Sequence, residues 1–189
     1  ALTSAHAVLL SDVQQMLRRI QKDVGFTYVK FNGILSDEMH LYGENATGKV
    51  QLSFAYVDKT LDFLLSIGLK PFIQLGFMPE ALSKENVHRF QYSISAPSSD
   101  EKWCRMIDQL IAHLQQRYGE AEVRSWLFCL WDQPDFAPER SAFADPAVFC
   151  AFYRLTRRIV KQRDSGIPFG APATFYLPQE NSWYLRFLN

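Results

Sequence analysis

The sequence carries no excess charge of either sign: 20 Lys plus Arg stand against 20 Asp plus Glu in 189 residues. A chain built to neutralise a phosphate backbone needs clustered positive charge, so direct nucleic-acid binding is not expected. The one basic concentration, Arg154, Arg157, Arg158, Lys161 and Arg163, falls at helical spacing between apolar residues and is expected to be a solvated helix face. Cysteine is scarce. Cys104, Cys129 and Cys150 cannot all pair with one another, each sits in an apolar run, and none has C-x-x-C or metal-ligand spacing. Buried free thiols in a reducing compartment are expected, which points to the cytoplasm. Long apolar runs are missing too. None reaches the roughly 18 residues of a membrane span, and no basic-plus-apolar leader opens the chain. No metal or cofactor signature appears.

What is present suits one domain with a substantial core: 48% of residues are hydrophobic and 21% charged. Val8, Leu9, Val13, Met16, Leu17, Ile20 and Val24 recur at three- and four-residue intervals, predicting a first helix ended by Gly25, with Ser11 and Asp12 as an alternative start. Phe26 to Leu35 is β-branched and aromatic, a strand; Ser36 to Gly48 is polar, a mobile loop. Helical spacing returns from Phe54 to Gly68, followed by a buried strand from Phe72 to Phe77 that Gln74 interrupts. A long loop is expected to about Ser99. A third helix runs from Trp103 to Tyr118, and a short helical continuation, Glu120 to Arg124, feeds a strand over Trp126 to Leu130. Asp145-Pro146 is a good start for a helix stopped by Gly166. A short strand over Ile167 to Ala173 and a helix from Trp183 to Leu188 follow.

Such alternation makes a parallel sheet with right-handed crossovers, an α/β fold. Four strand–helix units are half of an eight-stranded barrel. The expected architecture is therefore a single partial β/α barrel over residues 1–189, either a piece of a larger barrel or a half-barrel whose sheet edges need covering. In such folds binding and catalytic groups gather at the carboxyl ends of strands. The tight polar cluster Asp132, Gln133 and Asp135 around Pro134 occupies such an end, although Asp and Pro are also ordinary turn residues.

Several stretches together resemble a known family. YVKFNGILSDEMHLY, YVDKTLDFLLSIGLKPFIQLGFMPEAL, WCRMIDQLIAHLQQRYG, EVRSWLFCLWDQPD and GAPA are similar, in order and spacing, to glycoside hydrolase family 39, the β-xylosidase and α-L-iduronidase family. The opening AVLLSDVQQMLRRIQKDVGF is most like the version fused within AraC-type transcriptional regulators of bacteria. The resemblance implies a (β/α)8 TIM barrel and retaining hydrolysis by two glutamates. It places the acid/base in a Trp-Asn-Glu-Pro motif after the fourth strand and the nucleophile near the end of the seventh. Here that motif is Trp131-Asp132-Gln133-Pro134, so Gln133 holds the acid/base position and Asp132 that of the asparagine. The family's usual histidine after the second strand is Asn32, Gln74 and Cys129 fall where glutamates are expected, and the nucleophile's strand is not in this sequence.

A retaining glycosidase needs a carboxylic acid and a carboxylate about 5–5.5 Å apart. An amide carries no acidic proton near neutral pH, and losing a positioned general acid costs about 10²–10⁴-fold. No catalytic residue is therefore expected, and the sequence predicts a non-catalytic sugar-binding site of Asn32, Gln74, Trp131, Asp132 and Gln133. One engineered change would not alter Asn32, Gln74, Asp132 and Gln133 together, which favours natural loss. Asp132 cannot replace Gln133 directly, because consecutive residues at a strand end point in opposite directions. Asp135 and Glu139, on the following loop, are the remaining carboxyl candidates. His40, His88 and His113 share no ligand spacing.

Three functions fit: a carbohydrate-sensing or interaction module of a cytoplasmic regulator, a fragment of an active β-xylosidase-type enzyme, or a structural dimerisation module. The partners implied are a xylose-type sugar or oligosaccharide, with a second copy or a DNA-binding domain of the same protein as further contacts.

Overall fold

The structure, a computed structural model, describes residues 4–136, 141–175 and 182–188. In chain order its elements are α1 (Ser11–Val24), β1 (Tyr28–Phe31), β2 (Tyr42–Glu44), β3 (Val50–Leu52), α2 (Ala55–Ser66), β4 (Lys70–Leu75), β5 (His88–Arg89), β6 (Tyr92–Ser93), α3 (Asp100–Tyr118), α4 (Glu120–Arg124), β7 (Leu127–Leu130), α5 (Pro146–Arg163), β8 (Phe169–Gly170) and α6 (Ser182–Leu188). The sheet runs β1-β4-β7-β8 with every pair parallel, and β2–β3 and β5–β6 are small antiparallel hairpins. This is an α/β fold holding four parallel strands of a β/α barrel and the helices between them.

The helix starts follow local chemistry. Ser99 caps α3 by accepting from the Lys102 amide at 3.2 Å, and Asp145 caps α5 by accepting from the Ala147 amide at 2.9 Å, with Pro146 in the first turn. Gly25, at φ 76, closes α1 in the left-handed conformation that glycine adopts without penalty. The predicted opening helix is split: His6–Leu9 is a separate 3-10 turn, and extended Leu10 precedes α1. The α5 helix ends at Arg163, before Gly166, because Asp164 leaves helical geometry and accepts from the Gly166 amide at 2.8 Å.

Two loop expectations are corrected. The strand expected from Phe26 to Leu35 is only Tyr28–Phe31, since Gly33 at φ 70 turns the chain. The Ser36 to Gly48 segment expected to be mobile instead buries Met39, Leu41 and Tyr42 and forms a 3-10 turn and the first strand of the β2–β3 hairpin. Apolar residues among polar ones anchor it, which averaged polarity conceals. The long loop after Phe77 contains the β5–β6 hairpin.

Register sorts the sheet into two faces. Phe31, Ile73, Phe128 and Phe169 lie side by side on successive strands and face the helices, Phe169 packing on Tyr153 of α5 at 5.6 Å. The alternate row, Asn32, Gln74 and Cys129, follows one residue on and faces the other way, because side chains alternate along a strand. On the helix side Trp103 is fully buried between α3 and α5, and its indole N–H donates to the Thr156 hydroxyl at 2.9 Å.

Candidate active site

The backbone after β7 is unusual. Trp131 and Gln133 have φ of 62 and 49, the left-handed region that costs an L-residue roughly 1–2 kcal/mol. Hydrogen bonds hold it there: the Trp131 amide donates to Leu75 O at 3.0 Å and the Gln133 amide to Ala173 O at 2.9 Å. These bonds tie the turn to β4 and to the segment after β8, so the sheet itself imposes the conformation. Strand alternation sent Asp132 and Gln133 in opposite directions. The kinked backbone breaks that alternation, and both side chains line one cleft of about 570 Å³.

Trp131 goes downward. Its indole is 2% exposed and packs edge-on against Phe143 at 4.8 Å and Phe77 at 5.7 Å. Gly76 leaves the space, since a Cβ there would lie 3.1 Å from the indole Cε3. The predicted stacking platform is thus part of the floor's support and is absent from the cleft lining. A buried aromatic at a kinked strand end is better satisfied by core packing than by solvent.

The cleft is lined by Asn32, Glu38, Arg89, Tyr92, Asp132 and Gln133, with Phe77, Phe90, Phe136 and Phe175 as apolar surface. Arg89 organises its centre. The guanidinium donates from Nη1 to Gln133 Oε1 at 3.3 Å, and its Nη2 lies 3.5 Å from Asp132 Oδ2. It also sits 5.6 Å over the Phe77 ring, which stacks on Tyr92 at 4.8 Å. The amide at position 133 therefore spends its carbonyl on a permanent cation. A proton donor in its place would face the same charge, which favours the ionised form of a carboxyl and opposes general-acid work.

Gln74 is 1% exposed and lies below the cleft, on the same sheet face as Asn32 but outside the lining. Among the described residues three buried side-chain atoms lack a hydrogen-bond partner: Gln21 Oε1, Asn32 Oδ1 and Gln74 Nε2. The last two are an acceptor and a donor on neighbouring strands, the complement of a hydroxyl that both gives and takes a hydrogen bond. Cys129 completes their row. Burial pushes its thiol up to about 12, so it is no nucleophile near neutral pH. Of the three thiols, Cys129 and Cys150 are buried and Cys104 is half-buried; all three are free.

The other candidates lie elsewhere. Asp135 accepts from the Phe175 amide at 2.9 Å, tying two loops together, and does not line the cleft. Glu139 falls outside the described residues. His113 stacks on Phe54 at 4.0 Å and bonds Asp58 at 2.7 Å, a clamp between α2 and α3, while His88 pairs with Glu80. Among the described residues no three His, Cys, Asp or Glu side chains converge as a metal group would.

Sequence reasoning missed Arg89, Tyr92 and Glu38. The first two sit on a hairpin whose two-residue turn, Phe90-Gln91, has none of the Gly or Asn that mark such turns. Glu38 sits in the segment expected to be a loop, and only packing brings it to the cleft.

Comparison with known proteins agrees with this fold. The sequence profile described as Glycosyl hydrolases family 39 matches residues 2–188. A β-xylosidase of Caldicellulosiruptor saccharolyticus is 38% identical over 175 residues, covering 90% of this chain and 36% of that protein. One of Geobacillus stearothermophilus is 33% identical over 162 residues, covering 83% and 32%. The crystal structure of a monomeric β-xylosidase from Caulobacter crescentus CB15 superposes with a TM-score of 0.85 at 31% identity, over 92% of this chain and 35% of that one. The chain spans about a third of the length of these relatives. With four parallel strands, a cleft at their carboxyl ends and a family match over nearly its whole length, this chain belongs to glycosyl hydrolase family 39.

Proposed function

We propose that this chain is a partial glycosidase barrel that binds a xylose-type sugar or oligosaccharide without cleaving it. It serves as the sensing or interaction module of a larger, cytoplasmic AraC-type regulator. The observation that carries the reading is the Arg89–Gln133 contact: the amide that the family resemblance sets at the acid/base position has its oxygen held by a guanidinium. The cleft retains what recognition of a neutral sugar needs, with Asn32, Gln133 and Tyr92 for hydroxyls and aromatic surface for ring faces. Binding would act on a regulator only through different affinities for two conformations. The domain's further contacts would be a second copy or the DNA-binding domain of the same protein.

Calorimetric titration with xylose, xylobiose and a uronic acid, beside an aryl-xyloside assay, tests this. Heat with at least one sugar and no turnover is the expected result. No heat with any sugar would leave a scaffold or dimerisation role. Turnover would overturn the reading in favour of a β-xylosidase-type enzyme, for which one observation speaks: two carboxyl groups, Glu38 and Asp132, line the same cleft. In that case Asp132→Asn or Glu38→Gln abolishes turnover.

A further inference from the structure

The basic concentration on α5 lies outside the cleft. Arg154, Arg157 and Arg158 are exposed, and among the described residues none of them pairs with a carboxylate. Arginines elsewhere do: Arg19 with Asp23, Arg117 with Asp62, Arg124 with Asp164 and Arg163 with Asp108. In a chain of zero net charge, this uncompensated charge is therefore local to one face.

That face borders a groove of about 730 Å³. One wall is α5, carrying Arg154 and Arg158, and the other carries Lys84 beside Ala96 and Pro97, tied by the Lys84 amide donating to Ala96 O at 3.0 Å. Between the cations the surface is apolar. Val148, Ala151 and Leu155 recur at three- and four-residue spacing along α5, so they form one strip, with Val148 40% exposed. The alanines at 96, 142 and 151 are small, which keeps the surface concave. Asp100 is the single carboxylate in the lining, and it sits in the first turn of α3, where the helix start favours a negative charge.

We propose that this groove is a docking site for an acidic amphipathic helix of a partner protein. Charge complementarity sets the partner's sign, since Lys84, Arg154 and Arg158 flank the strip from both walls and outnumber Asp100. The strip sets its form. The α5 wall has its backbone groups bonded within its own helix, so an incoming segment must satisfy its own backbone, as a helix laid in an apolar groove does. From Val148 to Arg158 the wall runs about 15 Å, enough for about three turns. A phosphate backbone would want polar donors between the cations, where this groove is apolar. The proposal stands independently of what the cleft binds.

A fluorescein-labelled, helix-forming peptide of about four turns tests it, with leucines at i, i+3 and i+7 and glutamates on both flanks. Binding to the chain is read by fluorescence anisotropy, beside one version with lysines for the glutamates and one with serines for the leucines. The glutamate–leucine peptide should bind about 10-fold more tightly than either control and lose affinity as salt rises. Arg154→Glu combined with Arg158→Glu should weaken it by about 10-fold, and Ala151→Gln, which fills the groove with a good helix former, by about 3-fold. All three positions are exposed or half-open to solvent on α5, so melting temperatures should stay unchanged. Equal binding of the glutamate and lysine peptides, or binding that neither variant weakens, overturns the docking site, as does binding of no peptide. A DNA duplex that binds more tightly than the peptide, and is released by the paired charge reversal, would assign the cations to a phosphate backbone and equally overturn it.

Discussion

The two faces of the sheet obey different rules. On the helix side, Phe31, Ile73 and Phe128 are buried, and the buried indole N–H groups of Trp103 and Trp126 have their partners in Thr156 and Glu122. On the other side, Asn32 Oδ1 and Gln74 Nε2 are buried without partners, and the following turn holds Trp131 and Gln133 in left-handed backbone. Left-handed backbone costs an L-residue about 1–2 kcal/mol, so the turn at the end of the second face is kept at a local stability cost. The difference separates what holds the fold from what the fold presents.

Breaking the helix side has the largest expected effect. Trp103→Ala removes a fully buried indole and the hydrogen bond it donates to the Thr156 hydroxyl, for a loss of about 3–5 kcal/mol by urea denaturation. Gly76→Ala is next, because its Cβ would sit 3.1 Å from the Trp131 ring. Overpacking there costs about 1–3 kcal/mol and shifts the tryptophan fluorescence, the signature of a disturbed cleft floor.

A third variant compares paired and unpaired polar groups through pH. Burial alone would raise the Asp164 carboxyl, but the Gly166 amide and the Arg124 guanidinium outweigh it and hold it below the ordinary carboxylate range. A carboxyl lowered in the folded state stabilises above its unfolded value, about 3.9, and loses that contribution as pH falls through the folded value. Asp164→Asn should lower Tm by about 2–6 °C near neutral pH and flatten the acid side of the Tm profile.

The smallest stability change belongs to the cleft itself. Gln133→Glu should alter stability by about 0.5 kcal/mol or less. Its new carboxyl should titrate below the ordinary glutamate range beside Arg89, and aryl xyloside should remain uncleaved. Adding Arg89→Met should raise that titration, measured by carbon-detected NMR. A carboxyl that titrates normally in the single variant would show that Arg89 does not set the electrostatics of the cleft.

The helices and the inner strands were legible from the chain. The α3 and α5 spacings, the Asp145-Pro146 start and the apolar runs around Ile73 and Phe128 all record burial on one side, which sequence periodicity reports directly. The place of Gln133 was legible as well, because a strand end in a parallel sheet is where such groups collect. The β5–β6 hairpin was not. Its turn breaks the usual residue preference, and Arg89 acquires meaning only through contacts 43 and 44 residues along the chain, to Asp132 and Gln133. Trp131 was assigned to the cleft because aromatic residues suit sugars; packing against Phe143 and Phe77 takes it below.

What the sequence by itself determined is the parallel α/β framework and the presence of an amide, Gln133, at the end of an inner strand, since burial periodicity and residue identity are local properties. What only the tertiary structure decided is which side chains meet around that amide. The left-handed turn puts Asp132 and Gln133 into one cleft, a distant hairpin supplies Arg89, and the register sets Asn32 beside Gln74. Those are contacts between segments far apart in the chain, and no local pattern encodes the distance between them.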